Sequence, residues 1–537
     1  MKSALALFLV IASTFDLPPD VITARDAIRG EAISAHIRFL ADDLLEGRET
    51  GSRGFEIAAR YVAAHFSAYG LQPGGDDGTY FQHIRFRSSH VDNLHSALVL
   101  HDGKRDVPLE MSKDFYLRPS LRRETDEVTA PLVFASFGIV APELGHDDYA
   151  SINARGKIVV IITGAPSRFP HDQRAYYSSV AVKEEIAAAH GAVGILSLRS
   201  NIDEARFSFA KTAKQSDSVA MRFIDAKGEP SGTLPQIRGD GSISRTGATK
   251  LFTRSPKPVE QLLADADKDQ LHSFPLNVSA TIHTTSIFGE AQSENVVAIL
   301  PGSDPMLRSE HVVVSAHLDH LGDHAAGTDR IYNGAYDNAS GIAALLEIAR
   351  AFASLPQAPA RSLVFIAFTG EEKGIQGSGY FVDHPPGTLV ANVNMDMFLM
   401  LFPAKDLIAY GGEHTSLGTL ARRASESTGL TISPDPSPEE VRFIRSDQYS
   451  FVKHGVPAIS LKTGLTSTDP ALDGDKLTKD WLRNVYHTPK DDLQQPFDLP
   501  TGVKYTQTNF LIAWGAANGA EKPTWNAGDF FGAKFGK

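Results

Sequence analysis

The sequence predicts an α/β domain with a mainly parallel central sheet, interrupted by a smaller β-rich unit. Three observations predict it. After about residue 275, short apolar runs alternate with segments of helical period. One of these runs, Ser362-Leu363-Val364-Phe365-Ile366-Ala367-Phe368, is apolar almost throughout, which marks a strand covered on both faces. Between about 128 and 255 the texture differs: β-branched runs come first, then a polar, Gly- and Ser-rich stretch with little periodicity.

The elements follow in order. Lys2 precedes an apolar run from Ala4 to Ala12, and small Ser13 and Thr14 follow it. Basic start, short apolar core and small residues are the parts of a secretory signal over 1–14, with the mature chain expected to begin between Ser13 and Asp20. The run is well short of the ~20 residues that span a bilayer. Ile33, Ile37, Leu40 and Leu44, then Ile57, Ala58, Tyr61, Val62 and Phe66, recur at helix spacing around the polar connector Glu46 to Ser52. Gly70-Leu71-Gln72-Pro73-Gly74-Gly75 stops the second helix. Leu132 to Ala135, Lys157 to Ile162 and Gly194 to Leu198 read as strands, with a helix from Val182 to Ala189. Asn295 to Leu300, His311 to Ala316, Ser362 to Phe368, Val390 to Met397 and Ala458 to Leu461 read as further strands. Ile342, Leu345, Leu346, Ala349 and Phe352 mark an amphipathic helix among them. The expected division is 25–127 for the N-terminal part of the main domain, 128–255 for the insert and 275–520 for the rest of the main domain.

Composition narrows the chemistry. The chain has 537 residues and a net charge of −12, from 52 Lys and Arg against 64 Asp and Glu. An acidic total without a dense basic block argues against nucleic acid as partner. No cysteine is present, so there is no disulfide framework, thiol nucleophile or Cys-type zinc site. Any metal must be held by His, Asp or Glu, and 19 histidines keep that route open.

Open α/β sheets place their ligands at the carboxyl ends of strands. There the sequence reads His317-Leu318-Asp319-His320, then Tyr336-Asp337-Asn338 before the amphipathic helix, Thr369-Gly370-Glu371-Glu372, and Asn394-Met395-Asp396-Met397. A late loop adds Tyr486-His487-Thr488-Pro489. Each has a plain structural reading alone. Asp337 would cap the next helix, Asp396 would bond a neighbouring loop, His487 would be a turn residue, and the Glu pair would be solvated. Together they differ, because carboxylates crowded at one sheet edge repel one another, and a bound cation is the simplest way to hold them.

These segments resemble peptidase family M28, the co-catalytic zinc exopeptidases. The resemblance rests on Ala316-His317-Leu318-Asp319-His320-Leu321-Gly322, Asp337-Asn338-Ala339-Ser340-Gly341, Gly370-Glu371-Glu372-Lys373-Gly374, Asn394-Met395-Asp396-Met397 and His487-Thr488-Pro489. It covers about 285–520 and, more loosely, 30–85, where Phe39 to Arg48 is similar to the start of many bacterial members. The insert resembles a protease-associated (PA) domain through Arg155 to Val160 and Gly191 to Ile195. The resemblance implies a three-layer α/β/α sandwich with two zinc ions per chain. His317 and Asp396 would bind one zinc, Glu372 and His487 the other, and Asp337 would bridge them. Glu371 would be the general base acting on a metal-bridging water, and Asp319 would accept a hydrogen bond from the far nitrogen of His317. His320 is a candidate for supporting a ligand from behind or for the pocket wall, His324 for solvent, and Tyr449, in a segment resembling the family's Ser-Asp pocket loop, for contact with substrate or for the core. The insert would form a wall or lid over the site.

The activity so implied is that of a secreted or periplasmic aminopeptidase acting on peptides, with no integral membrane span once the signal is removed. A metallocarboxypeptidase on the same scaffold is the alternative, with Arg442, Arg445 or Lys462 as grips for a carboxylate. A one-zinc glutaminyl-cyclase-like acyltransferase and a non-catalytic receptor ectodomain are further rivals, and the complete ligand set argues against both.

Overall fold

The computed structural model describes residues 17–103, 105–214, 218–324, 326–440 and 442–536. The expected signal segment, 1–14, lies outside the described residues. The chain divides into two compact units. One comprises residues up to His83, Ser293–Pro436 and Arg445 onward; the other comprises Ile84–Gln292 and Ser437–Ile444.

The first unit is built on the expected sheet. At its centre the strands Ser362–Phe368, Glu310–His317, Thr388–Asn394 and Ala458–Thr463 lie side by side, each parallel to its neighbour. Residues 296–300 of the strand Phe274–Leu300 add an antiparallel edge beside Ser362–Phe368. Asp406–Tyr410 runs antiparallel beside Ala458–Thr463, and Thr431–Ser433 pairs with it in parallel. Alternation sends Val312, Val314, Ala316 and Phe365 to one face. There they join a core with Ile33 and Ile37 of the helix Gly30–Leu40, Phe66 of Arg53–Ala68, Leu345 and Phe352 of Gly341–Ala353, and Phe510 of Leu499–Asn518. On the other face Phe368 meets Phe381 and Phe451, at ring separations of 6.0 and 6.3 Å, on the helices Gln376–Asp383 and Gln448–Lys453. Helices on both faces of a mainly parallel sheet make this an α/β/α sandwich.

One buried arginine ties the N-terminal segment to the sheet. Arg48 is 1% exposed, and its guanidinium donates to the carbonyls of Leu40, Leu318, Asn333 and Gly334. It therefore links the turn after Gly30–Leu40 to the two loops that carry His317 and Asp337.

The second unit encloses the expected 128–255 insert and extends beyond it at both ends. Thr125–Phe134, Ile158–Ile162, Gly194–Leu198 and Asp240–Ile243 run parallel in that order, flanked by antiparallel Phe115–Leu117 beside the last. Residues 274–285 pair with Thr125–Phe134 on the other side, which is why the unit outruns 255. The stretch that read as polar and aperiodic holds short helices, Asn201–Arg206, Phe209–Ala213 and Arg245–Leu251. Each begins on a serine, Ser200, Ser208 or Ser244, whose side chain accepts a backbone N–H of the first turn. Among the described residues no helix is long and apolar enough to cross a membrane.

Candidate metal centre

The strand Glu310–His317 ends on His317, and the strand Thr388–Asn394 stops two residues before Asp396. The sharp turn into the helix Gly341–Ala353 carries Asp337. Gly334 makes that turn: its φ is +59°, and a Cβ there would lie 2.1 Å from the carbonyl oxygen of Asp337. Met397, just after Asp396, and His487 hold positive φ of 47° and 53° without being glycine, a strain that clusters at functional sites.

These elements bring three of the five expected ligands into contact through one carboxylate. Asp337 Oδ1 lies 3.3 Å from His317 Nε2, and its Oδ2 lies 3.1 Å from His487 Nε2. His317 Nε2 is 3.7 Å from Asp396 Oδ1, and His487 Nε2 is 3.4 Å from Glu372 Oε1, which completes the set. The backbone N–H groups of Tyr336 and Asp337 donate to Asp491, at 2.8 and 2.9 Å, and so fix the Asp337 loop. Lys462 Nζ lies 3.2 Å from Asp396 Oδ1 and donates to its carbonyl as well.

One partner differs from expectation. The far nitrogen of His317, Nδ1, lies 3.1 Å from the backbone carbonyl of Asp319 and 4.0 Å from its carboxylate, so the carbonyl is the better-placed acceptor. The Asp319 carboxylate instead receives the N–H groups of Glu371 and Glu372, at 3.1 and 3.2 Å, and the hydroxyl of Thr50 at 2.9 Å. A two-residue loop is too tight for the side chain to swing back over its own strand, and the neighbouring turn offers it two donors. His320, a candidate for supporting a ligand or for the wall, lies against a ligand within the cluster. Its Nδ1 is 2.9 Å from Glu372 Oε1, while its buried Nε2 has no hydrogen-bond partner among the described residues. His324 is exposed. Tyr449 is half-buried on the helix Gln448–Lys453, with Lys453 Nζ 5.2 Å from its ring centre.

The electrostatics are those of a concentrated anionic site. Burial opposes ionisation of Glu372, yet hydrogen bonds from His320 and His487 hold its carboxyl at about 2. Burial likewise opposes a charge on His487, but Asp337 and Glu372 carry it up to about 10. Asp396 is held well below the carboxylate range by Lys462 and His317, against its burial. Glu371 goes the other way: burial, with Glu372, Asp447 and Asp396 beside it, lifts its carboxyl well above the ordinary value against the pull of His317. Asp447 is fully buried in the loop before that same helix, and burial pushes it up to about 7. The sequence signal for it was the Ser446-Asp447 pair of the pocket loop, from which Tyr449 was the residue singled out.

The residues present fit a pair of divalent cations. One donor atom each from His317, Asp337 and Asp396 lies within 4.8 Å of the others, and the same holds for His320, Asp337 and Glu372. The two sets share Asp337 and consist of imidazole and carboxylate, the donors zinc takes when thiolate is absent. Histidines that gather protons to neutralise carboxylates answer the demand that a metal ion meets.

Residues 295–510 match the model of peptidase family M28. The chain carries a peptidase family M28 domain. Over 228 residues it is 27% identical to the aminopeptidase YwaD of Bacillus subtilis, covering 41% of this chain and 45% of that protein. Over 87 residues it is 41% identical to a probable zinc metalloprotease of Pyricularia oryzae, covering 16% of each. The chain thus spans less than half the length of these curated relatives. The solved structure of an aminopeptidase from Aneurinibacillus sp. strain AM-1 superposes with a TM-score of 0.52 over 93% of this chain and 97% of that one. At 20% identity, that likeness speaks for the fold.

Proposed function

We propose that this M28 chain is a zinc-dependent aminopeptidase, exported from the cytoplasm, that removes residues from the N-termini of peptides. One observation carries the reading: Asp337 turns its two oxygens to two histidines, with Asp396 on one side and Glu372 on the other. That is the arrangement of a carboxylate shared by two cations. His317 and Asp396 would hold one zinc, Glu372 and His487 the other, and Asp337 both. His320 either steadies Glu372 or joins the second set.

The ions, when bound, polarise the scissile carbonyl and acidify the attacking water. Glu371 accepts the proton of that water and passes it to the leaving amine. Asp319 holds the Glu371-Glu372 turn by two backbone N–H groups, so that base and ligand keep their separate places. The excess of carboxylates suits a substrate that presents a free α-ammonium. Of the cations offered as grips for a carboxylate, Lys462 is engaged by Asp396, Arg442 pairs with Glu440 at 2.9 Å, and Arg445 is exposed.

A peptide library blocked at one end or the other tests this reading, with zinc analysis of the same preparation. Peptides with free N-termini should be shortened and N-acetylated ones spared, at about two zinc ions per chain. Equal cleavage of both libraries rejects the aminopeptidase, and a metal-free, inactive protein rejects the enzyme.

A further inference from the structure

A cavity of about 500 Å³ has described lining residues that all belong to the second unit. Its volume falls within the ~300–1,000 Å³ of small-ligand sites. Arg118, Arg122, Arg123, Arg222 and Arg238 line it, against the carboxylates Asp126, Glu184 and Asp240.

The carboxylates do not neutralise the arginines. Asp126, 3% exposed, serves two of them, with Arg123 at 3.1 Å and Arg238 at 3.6 Å. Asp240 and Glu184 both face Arg118. Burial, with Asp240 beside it, raises the Glu184 carboxyl against the pull of Arg118 and Arg222. Arg122 reaches outside the cavity lining to Glu229, at 2.8 Å. Arg222 donates to the carbonyl of Met221 at 2.8 Å, and its burial lowers its affinity for its proton against the opposing pull of Glu184. Among the described lining residues five guanidinium groups thus meet three carboxylates in a part-buried space. Leu117, Leu121, Val180, Leu234 and Ile237 supply an apolar lining beside it.

Guanidinium forks pair with planar oxyanions through two parallel hydrogen bonds. The apolar lining gives a ligand's side chains a place to bury that a bare inorganic anion does not use. We propose that this cavity binds the C-terminal carboxylate of a short peptide, with its last apolar side chains against the leucine-rich wall. The site lies outside the metal centre and does not depend on the reading of that centre.

Calorimetric titration of the full-length, zinc-loaded protein tests it at low salt, where charge pairing is least screened. The probes are N-acetyl-Ala-Leu-Phe as the free acid, the same peptide as its C-terminal amide, and inorganic phosphate. The acid should bind at least ~10-fold more tightly than the amide and than phosphate. Arg122→Gln and Arg238→Gln should each weaken the acid by ~10-fold, with thermal unfolding and the release of p-nitroaniline from leucine p-nitroanilide unchanged. Equal binding of acid and amide, or no binding of either, overturns the proposal. Phosphate binding as tight as the acid overturns the peptide assignment in favour of a simple anion site. Acid binding unaltered in both arginine variants places the peptide elsewhere and overturns the site.

Discussion

Glu371 and Glu372 are neighbours with the same side chain, and their surroundings drive them in opposite directions. Glu372 is held ionised by His320 and His487, as a ligand should be, while Glu371 is pushed toward its protonated form by burial and by the carboxylates around it. Glu371→Gln keeps size and hydrogen bonding but removes the proton acceptor. It should leave zinc content near normal and lower kcat by ~10²–10⁴. Glu372→Gln should release one metal ion, partly restored by excess zinc. Zinc stoichiometry measured beside kcat decides: metal lost from Glu371→Gln and kept in Glu372→Gln would exchange the two roles. At this scale the candidate ligands were legible because each stands just beyond an apolar strand or in a short polar loop, where topology alone predicts convergence. The partners of Asp319 and the burial of Asp447 were not legible. They depend on how a two-residue loop and a neighbouring turn lie in space, which no spacing encodes.

The helix Val180–Ala189 illustrates what an element must do to hold a buried charge. Lys183 is 1% exposed, and its ammonium donates to the carbonyls of Phe137, at 2.7 Å, Ile162, at 3.3 Å, and Gly164. Burial lowers its pKa to about 7, with Asp148 and Asp203 opposing. The sign follows from proton counts. Between about 7 and its unfolded value of 10.5, Lys183 binds more protons in the unfolded chain than in the folded one, so stability rises with pH across that window. The slope contributed by one group is at most ~1.4 kcal/mol per pH unit. Lys183→Met removes that contribution. Urea unfolding of the second unit from pH 7 to 10 should show the wild type gaining on the variant as pH rises, and parallel curves would refute the buried charge. The strand of this element pair, Ile158–Ile162, was plain in the sequence because five apolar residues in a row leave no other reading. The short helices after Ser200, Ser208 and Ser244 were not, because caps rather than apolar periodicity define helices of one or two turns.

The whole molecule shows most clearly where a sequence reading stops. The α/β/α layering followed from the alternation of strands and helices and from one strand apolar on both faces. The limits of the second unit did not follow, since the strand Phe274–Leu300 lends residues 274–285 to one unit and 296–300 to the other with no break in composition. In the first unit the candidate metal centre gathers positions 317, 337, 372, 396 and 487, which are far apart along the chain, and Arg48 fastens the N-terminal helices to the same loops. Cations bound only by the folded chain stabilise it by mass action, ~2.7 kcal/mol for each site at a hundredfold excess over Kd. Their removal also leaves buried carboxylates to repel one another. In a unit of this size each kcal/mol moves Tm by ~2–4 °C. Treatment with 1,10-phenanthroline should therefore lower Tm by ~10–20 °C when both ions are lost, and zinc should restore it. Hydrogen exchange locates the effect. Amides at 317–322, 335–341 and 485–492 should lose protection on chelation, and those of the strands Ile158–Ile162 and Gly194–Leu198 should keep it. An unchanged Tm, or equal loss of protection in both sets, would mean that no ion ties these loops together.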